Sequence, residues 1–294
     1  MSRPRNGPPG TAGRLSFRAK KLDRRCEICL AARHRFRRSS VIRLSRLASA
    51  RIVLALGVSA AVLSACAYNE ALGRSQFLIV DNAALSQQST AAWREAIAKP
   101  GVITTGAQVQ RIRSVGDKLV QAAGLGGRPW EYAVFTNNSP NAFVLPSGQI
   151  GVTTSLLALV QNDDQLASVI GHEIGHVVAN HAAERASSQT ATSIGLAAVG
   201  GAAGRYGDAV NAYGGLAAQY GLLLPYSRRD ELEADRLGVD YMQAAGFRPS
   251  QAVALWRLMA AQRQTQTPQF ASTHPSDATR IEMLQQYIAS RGWN

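Results

Sequence analysis

Apolar residues at helical spacing mark the strongest element of the chain. Leu166, Val169, Ile170, Ile174 and Val177 recur at three- and four-residue steps, the signature of one helix face. Asn162, Asp163 and Asp164 stand just ahead as capping and first-turn residues, so a helix is predicted up to about Asn180. Upstream, residues 81–98 and 107–123 read as two further helices, separated at Pro100-Gly101 and closed at Gly124. Residues 131–136, 142–145 and 149–153 read as strands, the last two joined by a turn at Pro146-Ser147-Gly148. Downstream, Tyr241–Ala245 ends a helix at Gly246, and residues 250–263 form another, with Ala252, Leu255, Trp256, Leu258 and Met259 apolar. Residues 186–224 are rich in Ala and Gly. Gly195, Gly200 and Gly201 break their longest apolar stretch, so they read as a helical hairpin rather than a membrane span, with a mobile lid or a surface for lipid or a partner as the alternative. The pattern predicts an α+β fold, mainly helical, with a small sheet ahead of the strongest helix.

Charge divides the chain in two. The first 65 residues carry 15 Lys and Arg against 2 Asp and Glu, whereas the rest carries 17 against 17. The overall charge of +13 therefore belongs to a leader, and the part that folds has no excess charge for nucleic acid. Within the leader, the apolar run Ile52–Ser64 follows Arg43, Arg46 and Arg51, the layout of a secretory signal, and is too short to span a bilayer. It ends in Leu63-Ser64-Ala65-Cys66, which resembles the bacterial lipobox; a lipid on Cys66 would then tie the protein to a membrane. Because Ala67 follows the cysteine, the expected location is the periplasmic face of the outer membrane. Residues 1–40 lack periodicity, and translation is expected to begin near Val41; Cys26 and Cys29 are read as a chance pair. The expected organisation is a leader over 1–65, a lipidated tether over 66–80 and one domain over 81–294.

The predicted helix also carries chemistry. His172 and His176 are four apart in the run His-Glu-Ile-Gly-His, so both imidazoles can address one metal, while Glu173 can reach a water held by it. Hydrolytic zinc takes three protein ligands and leaves one position open. The segment Asp230–Asp235 offers the third. Glu231 and Asp235 share a helix face, which assigns Glu231 to the metal and Asp235 to the spare N–H of a ligand histidine. Glu233 lies about 200° round the helix from Glu231 and is read as a solvated charge. A third histidine ligand is not supported, since Ala179 and Ala182 stand where the longer pattern needs glycine and histidine; His181 is read as a helix-surface residue.

Four ordered blocks carry a family resemblance: Asn141–Gly148, His172–His176, Ser227–Asp235, and Thr273-His274-Pro275 with Arg280. Together they resemble the gluzincin metallopeptidases, which include the HtpX heat-shock peptidase, the CAAX prenyl protease and the mitochondrial OMA-type peptidases. Within that group the similarity is greatest to periplasmic lipoproteins of the BepA and LoiP kind. The resemblance implies a zincin-like domain binding one Zn2+ per chain. It also implies a substrate-binding edge strand at Asn141, Ala142 and Phe143, with main-chain pairing to an extended polypeptide. His274 and Arg280 are implied to approach the metal and steady a tetrahedral intermediate. His274 is alternatively a fourth ligand in a resting form, or a cap on the last helix.

The expected function is zinc-dependent hydrolysis of peptide bonds in unfolded or misfolded cell-envelope proteins, with Glu173 as base. Two other classes stay open: an assembly-factor lipoprotein that binds unfolded chains and rarely cleaves, and a structural zinc protein with a closed fourth position.

Overall fold

The computed structural model describes residues 66–200, 226–262, 270, 274 and 278–293. The leader, with its signal run, Cys26, Cys29 and the expected start near Val41, lies outside the described residues, as do most of the 186–224 hairpin and the 264–269 loop.

The strands form where apolar residues alternate between two covered faces. Strands β3 (Val102–Ile103), β4 (Glu131–Phe135), β5 (Ala142–Leu145) and β6 (Gln149–Thr153) make a four-stranded sheet in the order β3-β4-β6-β5. Strand β6 runs parallel to β4 and antiparallel to β5, with Ala142 opposite Val152 and Leu145 opposite Gln149. One sheet face, with Ala133, Phe135, Phe143 and Leu145, packs on Trp93 of helix α1 (Asn82–Ile97). The other, with Tyr132, Val134, Val144, Ile150 and Val152, meets the main core. Gly151 makes the first packing possible, because a Cβ there would lie 2.3 Å from the Phe143 ring. Strand β5 is left at the sheet edge.

Helix α2 (Ala107–Ala122) buries Val109, Ile112, Val115 and Leu119, one stripe at helical spacing. After the short helix α3 (Thr154–Leu159) comes α4 (Asp163–Val178), capped by Asn162, whose side chain accepts from the Gln165 N–H. Every residue of α4 from Gln165 to His176 is buried, because α2, β5, α6 (Arg228–Ala244) and α7 (Ser250–Gln262) surround it. Helices α5 (His181–Gly200) and α8 (Ala278–Ser290) complete the described elements. None of the described helices is long and apolar enough to cross a membrane.

Residues expected to be a tether fold instead as a hairpin, β1 (Cys66–Asn69) with β2 (Arg74–Phe77), pairing Cys66 with Phe77. Its anchors are polar. Asn69 donates to the Val178 carbonyl at 3.1 Å, and Gln76 donates to the Ala179 carbonyl at 2.7 Å.

Helices α4 and α6 approach backbone to backbone. A Cβ at Gly171 would lie 3.0 Å from the Gly238 carbonyl, and one at Gly175 would lie 2.8 Å from the Ala234 carbonyl. Gly175→Ala should therefore lose stability in urea unfolding. Overpacking costs about 1–3 kcal/mol and outweighs the ~1 kcal/mol that alanine gains over glycine in a helix. Unchanged or higher stability would mean that the two helices can separate freely.

Candidate metal centre

One turn of α4 brings His172 and His176 together with their Nε2 atoms 3.1 Å apart. Glu231 faces them from the first turn of α6, a helix start fixed by the reciprocal cap between Ser227 and Asp230. Its carboxylate oxygens lie 3.5 Å from each of those Nε2 atoms. His274 supplies a fourth donor, its Nδ1 being 3.2 Å from His172 Nε2 and 3.0 Å from Glu231 Oε1. The four side chains are at most 4% exposed.

This donor set fits a metal ion. Zinc bonds of about 2.0–2.2 Å in tetrahedral geometry separate neighbouring donors by about 3.3–3.6 Å, close to the spacings of this cluster. The electrostatics agree. Burial holds His176 well below the ordinary histidine pKa, so its ring is neutral and able to ligate. For His172, burial alone would lower the pKa, yet hydrogen bonds to Asp235 and Glu231 raise it to about 9, so the negative potential of the two carboxylates dominates at this ring. Burial would raise Glu231, but the positive potential of His274 and Arg280 overrides it and keeps the carboxylate ionised.

Glu173 stands beside this cluster. Its Oε1 is buried 3.2 Å from His274 Nε2, an ion-pair distance, and neither atom makes a well-aligned hydrogen bond among the described residues. Burial is the largest influence on Glu173 and raises its pKa, moving it towards the range of a proton carrier at neutral pH. Glu173 and His176 line a cleft of about 650 Å3 whose opposite wall includes Phe143, Val144 and Leu145 of β5. The edge strand and Glu173 therefore share one cleft. Asn141 and Ala142 are buried at the head of that strand, and the Phe143 side chain packs away on Trp93.

Asp235 and Arg280 brace the cluster. Asp235 lies 2.9 Å from His172 Nδ1; with the hydrogen there, His172 donates to Asp235 and presents its Nε2 lone pair to the cluster. Arg280 grips Asp235 through Nε at 2.5 Å and Nη2 at 2.8 Å, and its Nη1 is 2.5 Å from Glu231 Oε2. Its guanidinium lies over Trp256, 4.1 Å from the ring centroid. The arginine expected to steady an intermediate is thus engaged with two carboxylates of the site.

Two expectations are corrected. His181 is buried rather than on a helix surface, with its Nδ1 2.9 Å from His176 Nδ1. The helix does not continue through Asn180, whose φ of 52° ends α4 in the left-handed region and turns His181 back beside His176. Asparagine after an apolar helix was the available signal. Glu233 is not a solvated charge: it accepts from His181 at 3.0 Å and from Arg74 through two bonds of 2.7 Å. Arg74 belongs to the hairpin, which no metal-site pattern pointed to. Tyr226, stacked on His176 at 3.9 Å, was also missed.

Comparison with known proteins matches residues 107–288 to the family described as Peptidase family M48. The chain belongs to that family. Among its curated relatives, the mitochondrial metalloendopeptidase OMA1 of Schizosaccharomyces pombe is 37% identical over 175 residues, which is 58% of this chain and 50% of the relative. The beta-barrel assembly-enhancing protease of Escherichia coli K12 is 31% identical over 181 residues, 58% of this chain and 37% of the relative. The human mitochondrial metalloendopeptidase OMA1 is 29% identical over 231 residues, 74% of this chain and 43% of the relative. The chain thus spans about half or less of the length of these relatives. The fold is that of an α+β zincin-like metallopeptidase domain. The expected location at the periplasmic face of the outer membrane is overturned, because the fungal, plant and animal relatives are named as mitochondrial enzymes.

Glu233 yields a pH prediction. Burial would raise its pKa, but hydrogen bonds from His181 and Arg74 lower it from 4.5 to about 2. A depressed carboxylate stabilises the fold fully above its unfolded pKa and loses that contribution as pH falls through the folded value. In urea unfolding with excess chelator, wild type should exceed Glu233→Gln at pH 7, and the gap should close between pH 4.5 and 2. A gap independent of pH would contradict the ion pair.

Proposed function

We propose that this chain is a zinc-dependent endopeptidase acting on extended polypeptide, with His172, His176 and Glu231 as metal ligands and Glu173 as the proton carrier. The observation that carries the proposal is the buried Glu173 carboxylate, paired among the described residues only with His274, in a cleft also lined by the sheet-edge strand β5 and next to a donor set of metal-binding dimensions. When bound, Zn2+ supplies Lewis acidity towards a peptide carbonyl. Glu173 takes the proton of the attacking water and returns it to the departing amine, and its raised pKa suits both transfers. Asp235 holds the His172 ring in its ligating tautomer, and Arg280 holds both Asp235 and Glu231 in place. His274, beside Glu173, is the group placed to donate to an oxyanion. Of the expected Asn141, Ala142 and Phe143, Phe143 lines the cleft with Val144 and Leu145, so edge strand β5 offers the substrate a main-chain partner there, whereas the Asn141 N–H and carbonyl are already bonded to Thr153 at 2.8 and 2.9 Å. A reader of backbone selects extended, unfolded segments over folded ones.

The position of His274 favours a second reading of the same centre. As a fourth donor within reach of His172 and Glu231, it closes the site and makes the chain a latent enzyme or a binding factor. Membrane attachment through a lipid on Cys66 completes the proposal: this residue is exposed at the start of β1, and the intact mass of the chain purified from membranes tests it.

Glu173→Gln should retain one zinc per chain and lose cleavage of unfolded casein by roughly 100-fold or more, while His172→Ala should lose both. Zinc content by mass spectrometry and chelator-sensitive cleavage check this. Full cleavage by Glu173→Gln would reject the assigned role, and zinc without cleavage in the wild type, relieved in His274→Ala, would establish the latent reading.

A further inference from the structure

The two ligand histidines are held differently. His172 reaches a carboxylate directly, through Asp235. His176 has none on its Nδ1 and meets the His181 ring there instead. The hydrogens along this side can be placed in one way. If His176 gives its Nε2 lone pair to a metal, its hydrogen sits on Nδ1 and is donated to His181 Nδ1. The hydrogen of His181 must then be on Nε2, where Glu233 accepts it at 3.0 Å. Glu233 can accept there only as an oriented carboxylate. Arg74 supplies the orientation with Nε and Nη2 forked across both Glu233 oxygens at 2.7 Å, while its Nη1 and Nη2 hold Glu184 at 2.9 Å. Gln76 fastens the same hairpin to Glu184 at 2.6 Å and to the end of α4.

We propose that Arg74, Glu233 and His181 form a positioning chain that fixes the tautomer and orientation of His176, making the Cys66–Phe77 hairpin a working part of the metal centre. The hairpin lies outside residues 107–288, the span shared with the family. The proposal rests on the reading of His172, His176 and Glu231 as metal ligands. A second metal at His181, Asp230 and Glu233, which lie close enough together to hold one, is the weaker explanation of this cluster. Arg74 already neutralises Glu233, Asp230 caps α6, and Arg229 adds a further positive charge beside them.

The test measures metal affinity in the full chain, by competition for Zn2+ with a chromophoric chelator, independently of cleavage. Arg74→Ala and His181→Ala should each weaken binding by roughly 10- to 100-fold. If they act through one chain of contacts, the double variant should lose little more than the worse single variant. Arg74→Lys, which keeps charge but not the fork, should recover part of the loss. In the Co2+-loaded protein, the visible absorption bands should shift in Arg74→Ala and stay fixed in the surface control Lys99→Ala. If His181→Ala fails to fold, Glu233→Gln carries the same test, because it keeps size and an acceptor while removing the charge that Arg74 grips. Wild-type affinity in Arg74→Ala and Glu233→Gln, or losses that multiply in the double variant, would overturn the proposal while leaving the metal centre standing. A wild-type chain that binds no metal overturns both.

Discussion

The metal centre depends on a contact that contains no side chains. Helices usually pack with their axes about 8–10 Å apart, set by the residues between them. Gly171 and Gly175 on α4 and Gly238 on α6 remove those residues, and Ala234 offers only a methyl group. The backbones touch, so donors on the two helices meet face to face: His172 with Asp235, and both histidines with Glu231. A bulkier residue at this crossing would push the carboxylates away from the imidazoles while leaving each helix intact.

Close approach creates an electrostatic problem, since Glu173, Glu231, Asp235, Arg280 and four histidines are buried together. A buried charge is tolerated when it is paired and hydrogen-bonded, and costs several kcal/mol when it is left alone. The pairing is nearly complete. Arg280 serves Asp235 and Glu231, Asp235 serves His172, and Arg74 with His181 serves Glu233. Glu173 Oε1 and His274 Nε2 have only each other among the described residues, at 3.2 Å, and Glu173 lines the cleft.

Much of this was legible in the sequence, and the omissions have physical causes. The cap at Asn162, the strand limits and the shared face of Glu231 and Asp235 follow from local rules that tertiary packing did not override, whereas the Ser227 cap was not read. His181 was missed because helical periodicity was carried through Asn180; five residues on a continuous helix point to different faces, whereas one left-handed residue brings them back together. Glu233 was correctly placed away from the metal, but that face is covered by the hairpin rather than by water. The hairpin itself was read as a tether because its sequence lacks an apolar alternation. Asn69, Arg74 and Gln76 do its anchoring, and polar side chains that will be buried look in sequence like polar side chains that will not. The lipobox-like run misled on location because four residues weigh little against relatives matched over 175 or more.

The supports of the two histidines come from opposite ends of the described chain. His172 is held by Asp235, which depends on Arg280 in the last helix; His176 adjoins His181, which leads through Glu233 to Arg74 in the first hairpin. Neither support is local: Arg74 and Glu233 are 159 residues apart, and Arg280 and Asp235 are 45 apart. Contacts of such separation carry a loop-closure cost that local contacts do not. Helix α4 on its own presents two histidines without fixed tautomers, which is a weak ligand pair. Glu231 joins the two histidines only when α6 packs against α4, so assembly of the candidate donor set depends on tertiary structure.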